Sequence, residues 1–136
     1  MGSVASGADT VKATPFDRLG GQEVILAIAN RFYDLMDSDP AYAPLRAMHA
    51  RDLGPMRASL AGFLTGWSGG PRDWFAANPG RCMVSIHKPM PITQATARQW
   101  ADAMRRAIKD IVREDIQMAN AMAGVLEEIA MGMVPV

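Results

Sequence analysis

One residue stands out for its chemistry: His87, in the stretch Ile86-His87-Lys88-Pro89-Met90-Pro91-Ile92. It is one of only two histidines in the chain, and Met83, Val84 and Ile86 make its approach apolar. Pro89 and Pro91 stiffen the loop after it. A neutral imidazole carries a lone pair, and at the end of a short apolar segment that lone pair suits the iron of a bound cofactor. A packed or surface histidine at a helix end would show the same local pattern, so the rest of the chain has to decide. Three other side chains join a polar tip to an apolar body: Tyr33, His49 and Trp100. The chain holds 11 methionines, which adapt to irregular apolar shapes. A plain methionine-rich core would not collect three such hydrogen-bonding tips.

Other chemistries fail on inventory. With two histidines, one cysteine (Cys82) and no His-x-x-x-His pair, a protein-only zinc site has no ligand set. No glycine-rich phosphate loop and no Gly-x-Ser-x-Gly elbow occurs. Lys+Arg is 14 and Asp+Glu is 14, so the net charge is zero and nucleic acid is not an expected partner. The densest basic pair, Arg105-Arg106, is flanked by Asp102 and Asp110. A single cysteine fits a reducing compartment. No apolar run approaches membrane-spanning length and the N-terminus lacks a signal core, so a cytoplasmic location without membrane contact is expected. Met1-Gly2-Ser3-Val4-Ala5-Ser6 matches the short myristoylation pattern, but no polybasic partner follows and a leader remnant is the better reading.

The elements that must position these residues read as helices. Residues 1–14 are expected to form a flexible tail and 15–136 one domain. Pro15 to Gly21 is a short piece closed by two glycines, which permit positive φ. From Gln22 to about Met36 a stripe of Ile25, Ile28, Ala29, Phe32, Leu35 and Met36 has helical spacing, with Leu26, Ala29, Tyr33 and Met36 beside it. Tyr33 is thus expected at the edge of the buried face. Ala41 to Met48 is a compact connector closed by His49. The next helix starts near Asp52, points Met56, Leu60, Phe63 and Trp67 inward, and stops at Gly69-Gly70-Pro71. A short helix holds Trp74 and Phe75. A long helix from about Thr93 buries Trp100, Met104, Ala107, Ile108 and Ile111. A last one shows Ala119, Met122, Leu126, Ile129 and Met133, with the break between the two in Lys109–Asp115. No stretch alternates β-branched and polar residues. The fold class is all-α, with four substantial helices and several short ones.

Several motifs, in order and at matching gaps, resemble the truncated haemoglobins, and among them group II. They are Phe16-x-x-Leu19-Gly20-Gly21, Arg31-Phe32-Tyr33, Pro44-Leu45-Arg46-Ala47-Met48-His49, Phe63-Leu64-x-x-Trp67-x-Gly69-Gly70-Pro71, His87-x-Pro89-x-Pro91-Ile92 and Trp100. The resemblance covers about Pro15 to Met133. It implies a two-over-two helical sandwich around haem b, with His87 as the proximal iron ligand. It places Tyr33, His49 and Trp100 at the distal polar positions with Phe32 nearby, and makes Met56, Leu60, Phe63, Trp100 and Met104 cofactor contacts. Many group II relatives carry an arginine just before the proximal histidine. Here that residue is Ile86, so Lys88, Arg81 or another cation must meet the propionates. Met56 and Leu60 are apolar where some relatives are polar, and His49 or Met56 is a candidate sixth iron ligand.

The implied function is binding of O2, CO, NO or a similar small ligand such as sulfide, by a monomer or homodimer. Hydrogen bonds to a charged partner contribute roughly 1.5–3 kcal/mol each. Donation from Tyr33 and Trp100 would then slow ligand release about a hundredfold or more. Slow release suits scavenging, sensing or reaction better than transport. The rival readings are a haem-dependent enzyme (nitric oxide dioxygenase or peroxidase-like, fed by a reductase) and a cofactor-free helical interaction module.

Overall fold

The computed structural model describes residues 14–79 and 91–134. His87, Arg81 and Lys88 lie outside the described residues. Among those described, every regular element is helical. They are α1 (Pro15–Leu19), α2 (Gln22–Ser38), α3 (Ala43–Ala47), α4 (Gly54–Trp67), α5 (Asp73–Ala77), α6 (Gln94–Ile111) and α7 (Ile116–Gly132), with a 3-10 turn at Pro40–Tyr42. No helix among them is long and apolar enough to cross a membrane.

Helix ends follow local chemistry. Thr14 caps α1 in a reciprocal capping box with Asp17. Gly20 and Gly21 both adopt positive φ, 122° and 82°, and turn the chain into α2 as their sequence predicts. Thr93 and Thr96 form a second box at the start of α6. Asp52 Oδ1 accepts from Gly54 N–H at 2.9 Å just before α4. The break between the two last helices falls at residues 112–115, and Asp115 caps α7 by accepting from Met118 N–H.

Helix α6 packs along α7, α2 along α4, and α2 also crosses onto α6, so two helix pairs are stacked. Ile25, Ile28, Phe32, Met36, Leu64, Met104, Ile108 and Leu126 are fully buried at the contact. Tyr33 is not at the edge of the buried face but inside it, at 2% exposure. Leu26, expected beside it, is 45% exposed.

Helix α4 buries two faces rather than one. Beside Leu60 and Phe63, it also buries Ala61, Leu64, Thr65 and Gly66. A reading based on bulky residues misses this second face, because small residues create it by letting neighbours approach. A Cβ on Gly66 would stand 2.6 Å from the Phe75 ring, and one on Gly62 would stand 3.0 Å from Trp74. The Gly62-x-x-x-Gly66 spacing is therefore the seat on which α5 rests.

Polar contacts clamp the 39–45 segment to α6. Tyr42 Oη donates to Asp102, and Arg106 Nη1 donates at 2.9 Å both to Asp39 Oδ2 and to Tyr42 Oη. Leu45 N–H donates to Gln99 Oε1 at 3.1 Å.

Candidate functional site

Between the stacked pairs lies a cavity of about 460 Å3. That is within the range of roughly 300–1,000 Å3 usual for small-molecule and cofactor sites. Among the described residues its walls come from several parts of the chain, including Trp74 of α5 and Ile92 just before α6. Helix α2 supplies Tyr33, and the 45–50 segment supplies Leu45, Met48 and His49. Helix α4 supplies Met56, Ser59, Leu60 and Phe63. Thr96, Ala97 and Trp100 come from α6, while Leu126, Ile129 and Ala130 come from α7.

Of the residues the sequence singles out, Tyr33, His49, Met56, Leu60, Phe63 and Trp100 meet in this one cavity. Phe32 and Met104 do not line it. Phe32 is fully buried behind the wall and packs edge-on against Tyr33 (centroids 4.8 Å apart) and Trp100 (5.3 Å). It thus holds both rings in place. Met104 is buried one turn beyond Trp100 on α6. Sequence reasoning did not assign Trp74, Ser59 or the α7 wall to the site. Leu126 and Ile129 were legible as an inward stripe, but a stripe alone does not say whether it faces a core or a cavity. Trp74 Nε1 donates to Ser59 Oγ at 3.2 Å, and its ring packs against Phe63 at 5.7 Å.

The polar tips differ in what they can donate. Burial pushes the Tyr33 hydroxyl up to about 12, partly opposed by the positive charge of Arg57, so it keeps its proton at any physiological pH. Among the described residues neither Tyr33 Oη nor Trp100 Nε1 makes a hydrogen bond, and no buried polar side-chain atom is sealed away without a partner. Both residues line the cavity, and each side chain carries a donor group. His49 is different. Its Nδ1 lies 2.9 Å from the Leu45 carbonyl oxygen. A carbonyl only accepts, so Nδ1 carries a proton and donates to it. The His49 ring stands edge-on to Tyr33 at 5.9 Å.

The arrangement can therefore enclose a flat apolar group between α4 and α6. It also presents two neutral donors, held by Phe32, to something small and electron-rich.

A family model described as bacterial-like globin matches residues 14–134. Among solved structures, the chain is similar to the cold-adapted truncated hemoglobin of the Antarctic marine bacterium Pseudoalteromonas haloplanktis TAC125. The TM-score is 0.86 at 32% identity, over 91% of this chain and 99% of that one. It is also similar to the group II 2-on-2 hemoglobin of the plant pathogen Agrobacterium tumefaciens, with TM-score 0.86, 28% identity, and 91% and 95% coverage. A third match is the group II truncated hemoglobin of Bacillus anthracis, with TM-score 0.80, 26% identity, and 91% and 92% coverage. No curated protein matches the chain. The stacked helix pairs are the two-over-two globin sandwich.

Proposed function

Because the chain belongs to the bacterial-like globin family, we propose that it is a group II truncated haemoglobin that holds haem b in the central cavity and binds a small ligand there. The observation that carries this reading is the pairing of an apolar slot with the hydroxyl of Tyr33 and the indole N–H of Trp100, which have no partner among the described residues. A solid apolar core would strand those donors at a cost of about 1–3 kcal/mol each. A cavity that receives a polar ligand satisfies them.

The residues present fit the cofactor. Met56, Leu60 and Phe63 of α4, Ala97 of α6 and Ile129 of α7 would contact the macrocycle, and the adaptable methionine suits its irregular edge. His87 is the proposed iron ligand on the strength of its motif, and Lys88 and Arg81 are the proposed propionate partners. When bound, haem would supply the iron at which O2, CO, NO or sulfide is taken up.

The side chains of this protein then set how firmly that ligand is kept. Tyr33 and Trp100 donate to the electron-rich end of the ligand, each contributing roughly 1.5–3 kcal/mol where the acceptor carries charge. Phe32 fixes the direction of both donors. His49 donates through Nδ1 to the Leu45 carbonyl, which fixes its ring beside Tyr33. Slow release follows, which suits scavenging or sensing.

Absorption spectra of the ferric, ferrous and carbonyl forms test the reading. An intense Soret band is expected from the purified protein or after haem is supplied, and it should be lost or much weakened in His87→Ala. A chain that takes up no haem, or a His87→Ala protein with an unchanged ferrous spectrum, would contradict it.

A further inference from the structure

Arg57 lies on α4 outside the cavity wall, yet its guanidinium is built into the back of the site. Its Cζ stands 5.9 Å from the centroid of the Tyr33 ring. Its Nη1 donates to the Asn30 carbonyl at 3.0 Å, and its Nη2 donates to Asp34 Oδ1 at 2.8 Å. Asn30 and Asp34 flank Tyr33 on α2, so one planar fork grips the turn that carries the phenol.

From this geometry we infer that Arg57 is a positioning residue for ligand retention: it fixes the Tyr33 ring from behind and strengthens its hydroxyl as a hydrogen-bond donor. The inference rests on the proposed role of Tyr33 as a donor to the bound ligand.

The physical argument has three parts. A cation within about 6 Å of an aromatic ring is attracted to it and draws electron density from it. A phenol so polarised gives up its proton more readily, which is the same property that makes it a stronger donor. The charge of Arg57 acts on Tyr33 in this sense, opposing the burial that holds the proton on. Asp34 does not cancel the effect. Its side chain is 58% exposed against 26% for Arg57, so water screens the carboxylate more than the guanidinium. A lysine in this place would keep the charge but not the fork, since an ammonium is a point charge without the paired planar donors.

The test uses the haem-loaded full chain and CO and O2 as ligands, together with the Cζ resonance of isotope-labelled tyrosine in the haem-free chain. The chain contains two tyrosines, so Tyr42→Phe assigns the signal of Tyr33. Arg57→Met is expected to move that resonance, and to speed O2 release about two- to fivefold. Arg57→Lys is expected to restore part of both. Combined with Tyr33→Phe, Arg57→Met is expected to add nothing to the release rate, because its effect runs through the hydroxyl already removed.

An Arg57→Met effect that persists undiminished in the Tyr33→Phe background would overturn the inference and leave Arg57 a general brace. So would a Tyr33 resonance that ignores both substitutions. Should Arg57→Met fail to fold, Arg57→Lys and its combination with Tyr33→Phe carry the same comparison. If Tyr33→Phe alone releases O2 at the wild-type rate, it is the donor role of Tyr33 that falls. That failure is distinguishable because it appears without any change at position 57.

Discussion

At the residue scale, Trp100 gives the plainest prediction. Trp100→Phe keeps a ring against Phe32 but removes the N–H, so the protein should still bind haem and fold. Losing one hydrogen bond to a charged acceptor, worth roughly 1.5–3 kcal/mol, should speed O2 release by about ten- to a hundredfold. Stopped-flow measurement of O2 displacement checks this, and an unchanged rate would remove Trp100 from the donor pair. Tyr33, Trp100, Met56, Leu60 and Phe63 were legible in the sequence as inward residues because a bulky apolar side chain at helical spacing has few places to go. The Nδ1 bond of His49 to Leu45 was not legible. It depends on how the short α3 ends, which neither residue type nor spacing reveals. Nor was Trp74, since its place on the wall follows from two glycines on another helix.

At the element scale, the seat of α5 on α4 makes an experiment of contrasting glycines. Ordinarily Gly→Ala inside a helix stabilises by about 0.4–1 kcal/mol. That is the expectation for Gly124→Ala on α7, where an added Cβ meets nothing within 4 Å. Gly66→Ala should do the reverse, because its Cβ would collide with the Phe75 ring at 2.6 Å. Overpacking of this kind costs typically about 1–3 kcal/mol. Thermal unfolding of the two variants should shift in opposite directions, and equal shifts would show that α5 is free to move aside. The long helices α2, α4, α6 and α7 could be read from periodicity and their stops. Which faces oppose each other could not, because the pairing of α4 with both α2 and α5 depends on small residues that carry no hydrophobic signal.

At the scale of the whole molecule, charge pairs tie distant parts of the chain together, and their titration sets the working range. Arg106 beside Asp39, and the Met118 N–H aimed at Asp115, hold both carboxyl groups below their ordinary value of 3.8. A depressed carboxyl stabilises the fold above its unfolded value, and that contribution is lost as pH falls through the lowered one. Burial acts the other way on the two tyrosines, raising Tyr42, and Tyr33 to about 12, above their ordinary 10.0. Their contribution is complete below pH 10.0 and fades as pH climbs toward 12. Urea unfolding should therefore show a plateau through neutrality, falling off below about pH 4 and above about pH 10. Tyr33→Phe should flatten the alkaline arm, and an alkaline arm identical to wild type would show that folding does not raise the Tyr33 hydroxyl.

The hollow between the helix pairs has one more consequence. Where a folded chain leaves room for a guest, occupancy adds to stability through mass action, and the empty form is the more easily opened one. Abundance of this protein in the cell should then follow haem supply rather than transcript alone. Under iron starvation the unfilled molecules would be the first taken by proteases.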